Sequence, residues 1–485
     1  MISMINKTLE LSKEEMKSLG YKVVDIIAEH FDTLKTKRVG NVSKRKELEQ
    51  ELYEPIPENA ADPNEILNKL QKSVFSNTSY VNHPRFFAFI PGPGNFIGAL
   101  ADFLSAGFNI FCGNWLEGSG PSQIEITTIE WLKQMFNFPK ESGGIFVSGG
   151  SMANLTGLAV ARKVKLNNDI NNARIYFSDQ THSSIEKGLM VLGFNNSHIC
   201  KIPSNKNFQL SIDDLRNQIN QDKENGKNPF CVILNAGTTN TGAIDNLDEI
   251  TEFCKNENIW VHVDGAFGAA AILSDKGKKL LKGIEKVDSL SLDPHKWLFQ
   301  PFEIGCVLVK NKAWMKDAFH LLPDYLKDTE IGEEELNFFD YGIQLTRGFR
   351  ALKLWMSLKI FGLNSFKAAI EEGFELASYA EQVIRESNNF TVFTPASLAL
   401  VTFILKSIFF NQEDLDFISK ELINKITDDG FAMISSTQIE DKVILRMCTI
   451  NPRTTREDIK RTIEKLDLFA DEILKSRAKK NVVLK

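Results

Sequence analysis

Between Met16 and Ile27 the apolar residues Met16, Leu19, Val23 and Ile27 recur at the period of one helix face, and Ser12 followed by Glu15 makes a capping box that starts the helix. Such a stripe needs a surface to lie on. Charged helical stretches and the proline-containing run 54–63 follow, so residues 1–82 read as a helical arm without a core of its own. From about Ser142 to Lys310 the period changes. Short β-rich runs, Gly144–Val147, Arg174–Phe177, Cys231–Leu234, Trp260–Val263 and Cys306–Val309, alternate with longer helical stretches. That alternation predicts an α/β fold, a mostly parallel sheet covered on both faces, with ligands gathering at the carboxyl ends of its strands. After about Ala351 come a helical stretch and an α/β segment with a strand at Val443–Met447. The organisation read from the pattern is an arm over 1–82, a large domain over 83–350 and a small α/β domain over 351–485.

Composition narrows the partners. The 485 residues are 43% hydrophobic and 25% charged with a net charge of −6, both signs interspersed, which gives no long-range attraction to nucleic acid or an anionic membrane. A small-molecule substrate fits better. No stretch reaches the roughly 18 to 20 apolar residues of a membrane span, and the first residues lack a basic head with an apolar run, so a cytoplasmic location is expected. The six cysteines, Cys112, Cys200, Cys231, Cys254, Cys306 and Cys448, contain no C-x-x-C pair, which argues against a disulfide framework and against a metal site.

Four segments carry candidate chemistry. The run from Asp288 to Trp297 places Lys296 after a β-like segment among apolar neighbours, where desolvation favours the neutral, nucleophilic amine that forms a Schiff base. A surface lysine lying over a tryptophan is the plainer reading. Ser148-Gly-Gly-Ser-Met-Ala-Asn154 opens a helix after a strand, where small residues let backbone N–H groups approach a phosphate. A tight turn would look the same, and the spacing matches neither the Walker A nor the dinucleotide-binding pattern. Asp264 ends an apolar strand, an expensive place for a carboxylate unless it caps a turn or meets a cation such as a protonated pyridine nitrogen. His182 follows another strand, where it stacks on a ring, holds a substrate carboxylate or simply enters a helix.

In their order and spacing, these segments resemble the group II pyridoxal-5′-phosphate-dependent amino-acid decarboxylases, closest in type to the aromatic-L-amino-acid enzymes. The matching segments are His83–Phe89, Ser148–Ser151, Ser178–His182, Gly237–Thr239, His262–Ala266, Pro294–Trp297, Asp324–Lys327 and Arg347–Arg350. The resemblance implies fold type I, with a mostly parallel large domain, a helical N-terminal arm and a small α/β C-terminal domain, in a homodimer with its active sites at the interface. It makes Lys296 the Schiff-base lysine, Asp264 the pyridinium partner and His182 the ring-stacking residue. Gly150 and Ser151 would bind the phosphate, and Thr239, Ala266 and His295 would line the same cofactor site. Tyr325 corresponds to a mobile-loop tyrosine that protonates Cα after CO₂ leaves, although a surface tyrosine would read the same.

The expected reaction is decarboxylation of an L-amino acid to its amine. By resemblance Phe89, Ile90, Pro91, Phe111 and Phe302 lie on or near the side-chain pocket, and their apolar character suits an aromatic substrate. Two other activities stay open, an aldehyde synthase that couples decarboxylation to oxidative deamination, and a glutamate- or aspartate-type decarboxylase using a cation such as Arg85. A scaffold without turnover is the non-enzyme alternative. Two departures from the family stand out. Asp293 replaces a frequent asparagine, which puts an anion near the phosphate unless it points away or is itself bonded, and Gly113 stands where aromatic-specific relatives can have a bulky ring, which would enlarge the pocket toward an indole or leave it permissive.

Overall fold

The structure is a computed structural model and describes residues 9–321, 323–329, 332 and 334–483. Its larger sheet has seven strands, β1 (Gly143–Val147), β2 (Ala173–Ser178), β3 (Ile199–Ile202), β4 (Asn228–Asn235), β5 (Trp260–Asp264), β6 (Ser289–Leu292) and β7 (Gly305–Val309), in the order β1-β7-β6-β5-β4-β2-β3. All five anticipated runs are strands. The unanticipated β3 is a short edge strand, and β6 is Ser-Leu-Ser-Leu, whose serines mask a segment that is buried throughout. Neighbours from β6 through β3 pair in parallel, whereas β7 runs antiparallel to both β1 and β6. Residues 293–304 connect β6 to β7 as an irregular loop with no crossover helix.

Burial follows the pleat. Val261 and Val263 face one apolar cluster, while Trp260 joins a second cluster with Ala153, Leu158 and Ala161 of the helix Gly150–Leu166. His262 and Asp264 share Trp260's parity, so they too point toward that helix.

A second sheet, β8 (Phe390–Ser397), β9 (Leu400–Leu405), β10 (Ser435–Ile439) and β11 (Lys442–Cys448), is antiparallel in the order β10-β11-β9-β8. The strand expected at Val443–Met447 lies in β11. Residues 85–88 run alongside this sheet, Phe87 N–H donating to the Met433 carbonyl (2.8 Å) and Cys448 N–H to the Phe87 carbonyl (3.0 Å).

The N-terminal helix Lys13–Thr33 forms with its capping box, Glu15 N–H on Ser12 Oγ and Ser12 N–H on Glu15 Oε2. None of its residues is buried, and Met16 and Tyr21 remain 52% and 65% exposed. Of the apolar stripe, Leu19, Val23 and Ile27 are half-buried and Met16 is exposed, so the described residues cover it only in part. Among the described residues no helix is long and apolar enough to cross a membrane.

Candidate active site

Because six of the seven strands point the same way, the segments leaving five of them converge at one edge of the sheet. Ser148–Ser151 leaves β1, His182 follows β2, Gly237–Thr239 follows β4, Asp264 ends β5 and Asp293–Lys296 leaves β6. These segments enclose a cavity of about 330 Å³, within the range of small-molecule sites. Gly150, Ser151, His182, Thr239, Asp264, Ala266, His295 and Lys296 all line it.

Lys296 reaches the cavity from a turn, its Nζ 3.0 Å from Asp293 Oδ2 and its side chain 24% exposed. Asp293 is buried. Its Oδ2 also faces His295 Nε2 at 3.5 Å, while Oδ1 has no hydrogen-bond partner. The carboxylate is thus bonded on one side, as a site for a second anion requires. His295 Nδ1 accepts the Ile304 N–H (3.3 Å), and burial lowers the pKa of this imidazole, so Nε2 carries the single ring proton and aims it at Asp293.

Asp264 is held by three donors. Ala266 N–H (3.1 Å) and Ser291 Oγ (3.4 Å) donate to Oδ1, and Asn154 Nδ2 (3.0 Å) donates to Oδ2. The other exit from Asn154 Nδ2 reaches Ser184 Oγ (3.1 Å), which lies 2.9 Å from His182 Nδ1. The Ser184 N–H also donates to that nitrogen (3.2 Å), leaving Nε2 of the exposed His182 as its proton-bearing side.

Pyridoxal phosphate fits this donor set. The cavity has two poles. At one, the first turn of the helix Gly150–Leu166 presents N–H groups without intrahelical acceptors, an anion site. At the other, the Asp264 carboxylate suits a ring cation, and Lys296 supplies the amine for a carbonyl between them. Gly150 has to be glycine, because a Cβ there would lie 2.8 Å from Asp293 Oδ2 and 3.0 Å from Ala266 Cβ, closing the cradle.

The remaining expectations fall outside the cavity lining. Phe302 is 56% exposed and tilts against His295 with ring centroids 5.0 Å apart, an apolar rim next to Lys296. Phe89 is 59% exposed, its N–H bonded to Ser435 Oγ, while Ile90 packs against the core. Pro91 is buried and Phe111 half-buried. Gly113 does not enlarge the pocket as anticipated. A Cβ there would sit 2.4 Å from Phe111 Cζ and 2.5 Å from the Leu345 carbonyl, so that space is already filled. Arg85 faces elsewhere, donating to the Phe431 and Lys35 carbonyls and pairing with Asp458 (3.3 Å). Tyr325 falls in the turn Asp324–Thr329, and its side chain lies outside the described residues.

Sequence reasoning missed four contributors. Asn154 and Ser184 connect Asp264 to His182. His262 stands behind Asn154, and its position two residues before Asp264 on a strand was the available signal. Arg446 comes from β11 and donates to the Thr239 and Asn240 carbonyls, tying the second sheet to the cavity, a contact no local pattern announces.

Comparison with known proteins adds independent findings. The model of the pyridoxal-dependent decarboxylase conserved domain matches residues 46–406. An aromatic-L-amino-acid decarboxylase of Bacillus atrophaeus is 48% identical over 471 residues, 97% of this chain and 98% of that protein. A phenylacetaldehyde synthase of Arabidopsis thaliana is 27% identical over 93% of this chain and 94% of its own. The crystal structure of Oryza sativa TDC with PLP and tryptamine superposes with a TM-score of 0.90 at 25% identity, covering 96% of this chain and 99% of the other.

Proposed function

Because the chain belongs to the pyridoxal-dependent decarboxylases, and so uses pyridoxal phosphate to remove the carboxylate of an amino acid, we propose that it converts an aromatic L-amino acid to the corresponding amine. The 48% identity over 97% of the chain with a relative of that activity carries the reading. The apolar rim at Phe302 agrees with it, and Arg85, the cation an acidic substrate would have needed, is engaged against Asp458.

In this reading Lys296 would hold the cofactor through its amine, and Asp293 at 3.0 Å would pair with that lysine when it is free. Gly150 and Ser151 bind the phosphate, with Thr239, Ala266 and His295 around it. His182 would hold the cofactor ring, with its Nε2–H free to donate. Asp264 would hold a positive charge on the cofactor's pyridine nitrogen. The cofactor, when bound, supplies an acceptor for the electron pair left as the Cα–carboxylate bond breaks. Tyr325 returns a proton to Cα while its loop excludes water. Phe89, Ile90, Pro91, Phe111 and Phe302 surround the substrate ring, completed by the partner subunit. CO₂ release across a panel of L-amino acids tests this. Tyrosine, tryptophan, phenylalanine or DOPA should give amine and CO₂ in equal yield without oxygen uptake, and release from glutamate or aspartate alone would sink the aromatic assignment. The relative that is a phenylacetaldehyde synthase favours one second reading, for which the same panel would yield CO₂, ammonia and hydrogen peroxide together.

The division into an arm over 1–82, a large domain over 83–350 and a small domain over 351–485 belongs to the same proposal, with the arm packing on a second copy. The exposed face of the helix Lys13–Thr33 supports it. Light scattering should give twice the chain mass. A chain lacking residues 1–33 should shift toward monomer and lose turnover, whereas a fully active monomer would count against the shared site.

A further inference from the structure

Behind the Asp264 carboxylate lies a row of buried polar groups that the decarboxylase reading does not use. Trp260 Nε1 donates to Ser289 Oγ (2.9 Å), Ser289 Oγ lies 2.8 Å from His262 Nδ1, and His262 Nε2 lies 3.0 Å from Asn154 Oδ1. Trp260, His262 and Ser289 are wholly buried, and Asn154 is nearly so. The indole N–H and the carboxylate at the two ends allow one direction for every bond between them. Asp264 Oδ2 only accepts, so the Asn154 amide turns its Nδ2 toward it and its Oδ1 toward His262. His262 Nε2 therefore donates. At the other end Ser289 Oγ already accepts from Trp260, and its own proton goes to His262 Nδ1. An imidazolium at this position would leave the Ser289 hydroxyl facing a second donor. Burial acts in the same direction, holding the His262 pKa down to about 4 despite the pull of Asp264.

We propose that His262 and Asn154 are positioning residues for the cofactor site: the single imidazole tautomer fixes the face of the Asn154 amide, whose two N–H groups set the carboxylate of Asp264 and, through Ser184, the ring of His182. The inference rests on the roles given above to Asp264 and His182. One amide thus orients the groups at the ring nitrogen and on the ring face together. Its Nδ2 hydrogens point to Asp264 Oδ2 (3.0 Å) and Ser184 Oγ (3.1 Å). Ser184 in turn passes its own hydroxyl proton to His182 Nδ1 (2.9 Å). A flipped amide would set Oδ1 against the carboxylate and Nδ2 against the Nε2–H, two repulsive contacts in a site without water-like screening. The surrounding packing is specific to this arrangement. Gly157, one turn along the helix from Asn154, would place a Cβ 2.9 Å from His262 Nδ1 and Cε1, so the absence of a side chain there makes room for the imidazole.

The test is a titration of the cofactor-free full-length chain with pyridoxal phosphate, followed by visible absorbance between about pH 6 and about pH 8, the range in which a histidine tautomer would otherwise be lost to protonation. His262→Phe keeps the ring volume without a donor, and Asn154→Ala removes the amide. Each should raise the dissociation constant about tenfold, and the double variant should be no weaker than about tenfold rather than the roughly hundredfold of independent sites. His262→Gln, which retains an N–H toward Asn154, should recover part of the affinity. In the wild type, ¹⁵N-labelled histidine should show one ring, the signal lost in His262→Gln, that stays neutral and Nε2-protonated to about pH 5. Wild-type affinity in His262→Phe or Asn154→Ala, additive losses, or a ring protonated at Nδ1 would each overturn the proposal. The nitrogen spectrum, assigned through His262→Gln, decides it even where His262→Phe or Asn154→Ala fails to fold. Absence of any pyridoxal phosphate binding by the wild type would instead strike the functional reading on which it rests.

Discussion

Lys296→Ala is expected to bleach the protein, removing the visible absorbance of a lysine-bound cofactor and lowering turnover by on the order of a thousandfold or more, as deletion of a covalent participant does. Two effects are mixed in that loss. The substitution removes the amine that bonds the cofactor, and it also strips Asp293 of the ammonium 3.0 Å away, leaving a buried carboxylate with His295 as its remaining partner. Lys296→Arg separates them. A guanidinium keeps a cation beside Asp293 but cannot form the bond. Compared in the cofactor-free state it should match the wild type in thermal stability, while sharing the alanine variant's lost absorbance and turnover. If Lys296→Ala retained the absorbance, the covalent assignment would fall. If Lys296→Arg turned over near the wild-type rate, the lysine's role would be electrostatic.

The α/β fold was legible because its central strands are buried on both faces and so read as mostly apolar runs, Cys231–Leu234 throughout and Trp260–Val263 apart from His262. β6 was harder to see. Its serines carry no hydrophobic signal, and their purpose, hydrogen bonds to Trp260 and Asp264 on the neighbouring strand, exists only once β5 and β6 pair. The antiparallel direction of β7 is a property of the connection and not of its own residues. The same division runs through the site. Lys296, Asp264, His182 and the Gly150–Ser151 turn are each announced by a local context, a strand end followed by a polar or small residue. Asn154, His262 and Arg446 act across elements, and their meaning arises from partners 27 to 207 positions away in sequence. Gly113 marks the limit of position-by-position transfer. A missing ring at one position is compensated by Phe111, two residues earlier.

Asp264→Asn is the sharpest test of the electrostatics, since it preserves shape and removes one charge. In the wild type all three neighbours of this carboxylate, Ala266 N–H, Ser291 Oγ and Asn154 Nδ2, are placed as donors. An asparagine amide offers acceptor capacity on one side only, so its own N–H₂ meets a donor whichever way it turns, and the charge facing the cofactor nitrogen disappears. Breaking a buried pair by removing one partner costs about 3 to 5 kcal/mol. If that cost falls on the step in which the ring accepts electrons, turnover drops roughly a hundredfold or more, each factor of ten requiring about 1.4 kcal/mol. Cofactor binding should weaken but persist, because Lys296 and the Gly150–Ser151 turn are untouched. The variant is thus expected to be coloured and slow, unlike the colourless Lys296→Ala. Single-turnover CO₂ release beside the visible spectrum distinguishes the two. Unchanged turnover in Asp264→Asn would show that the carboxylate holds the strand end together and leaves the chemistry to other groups.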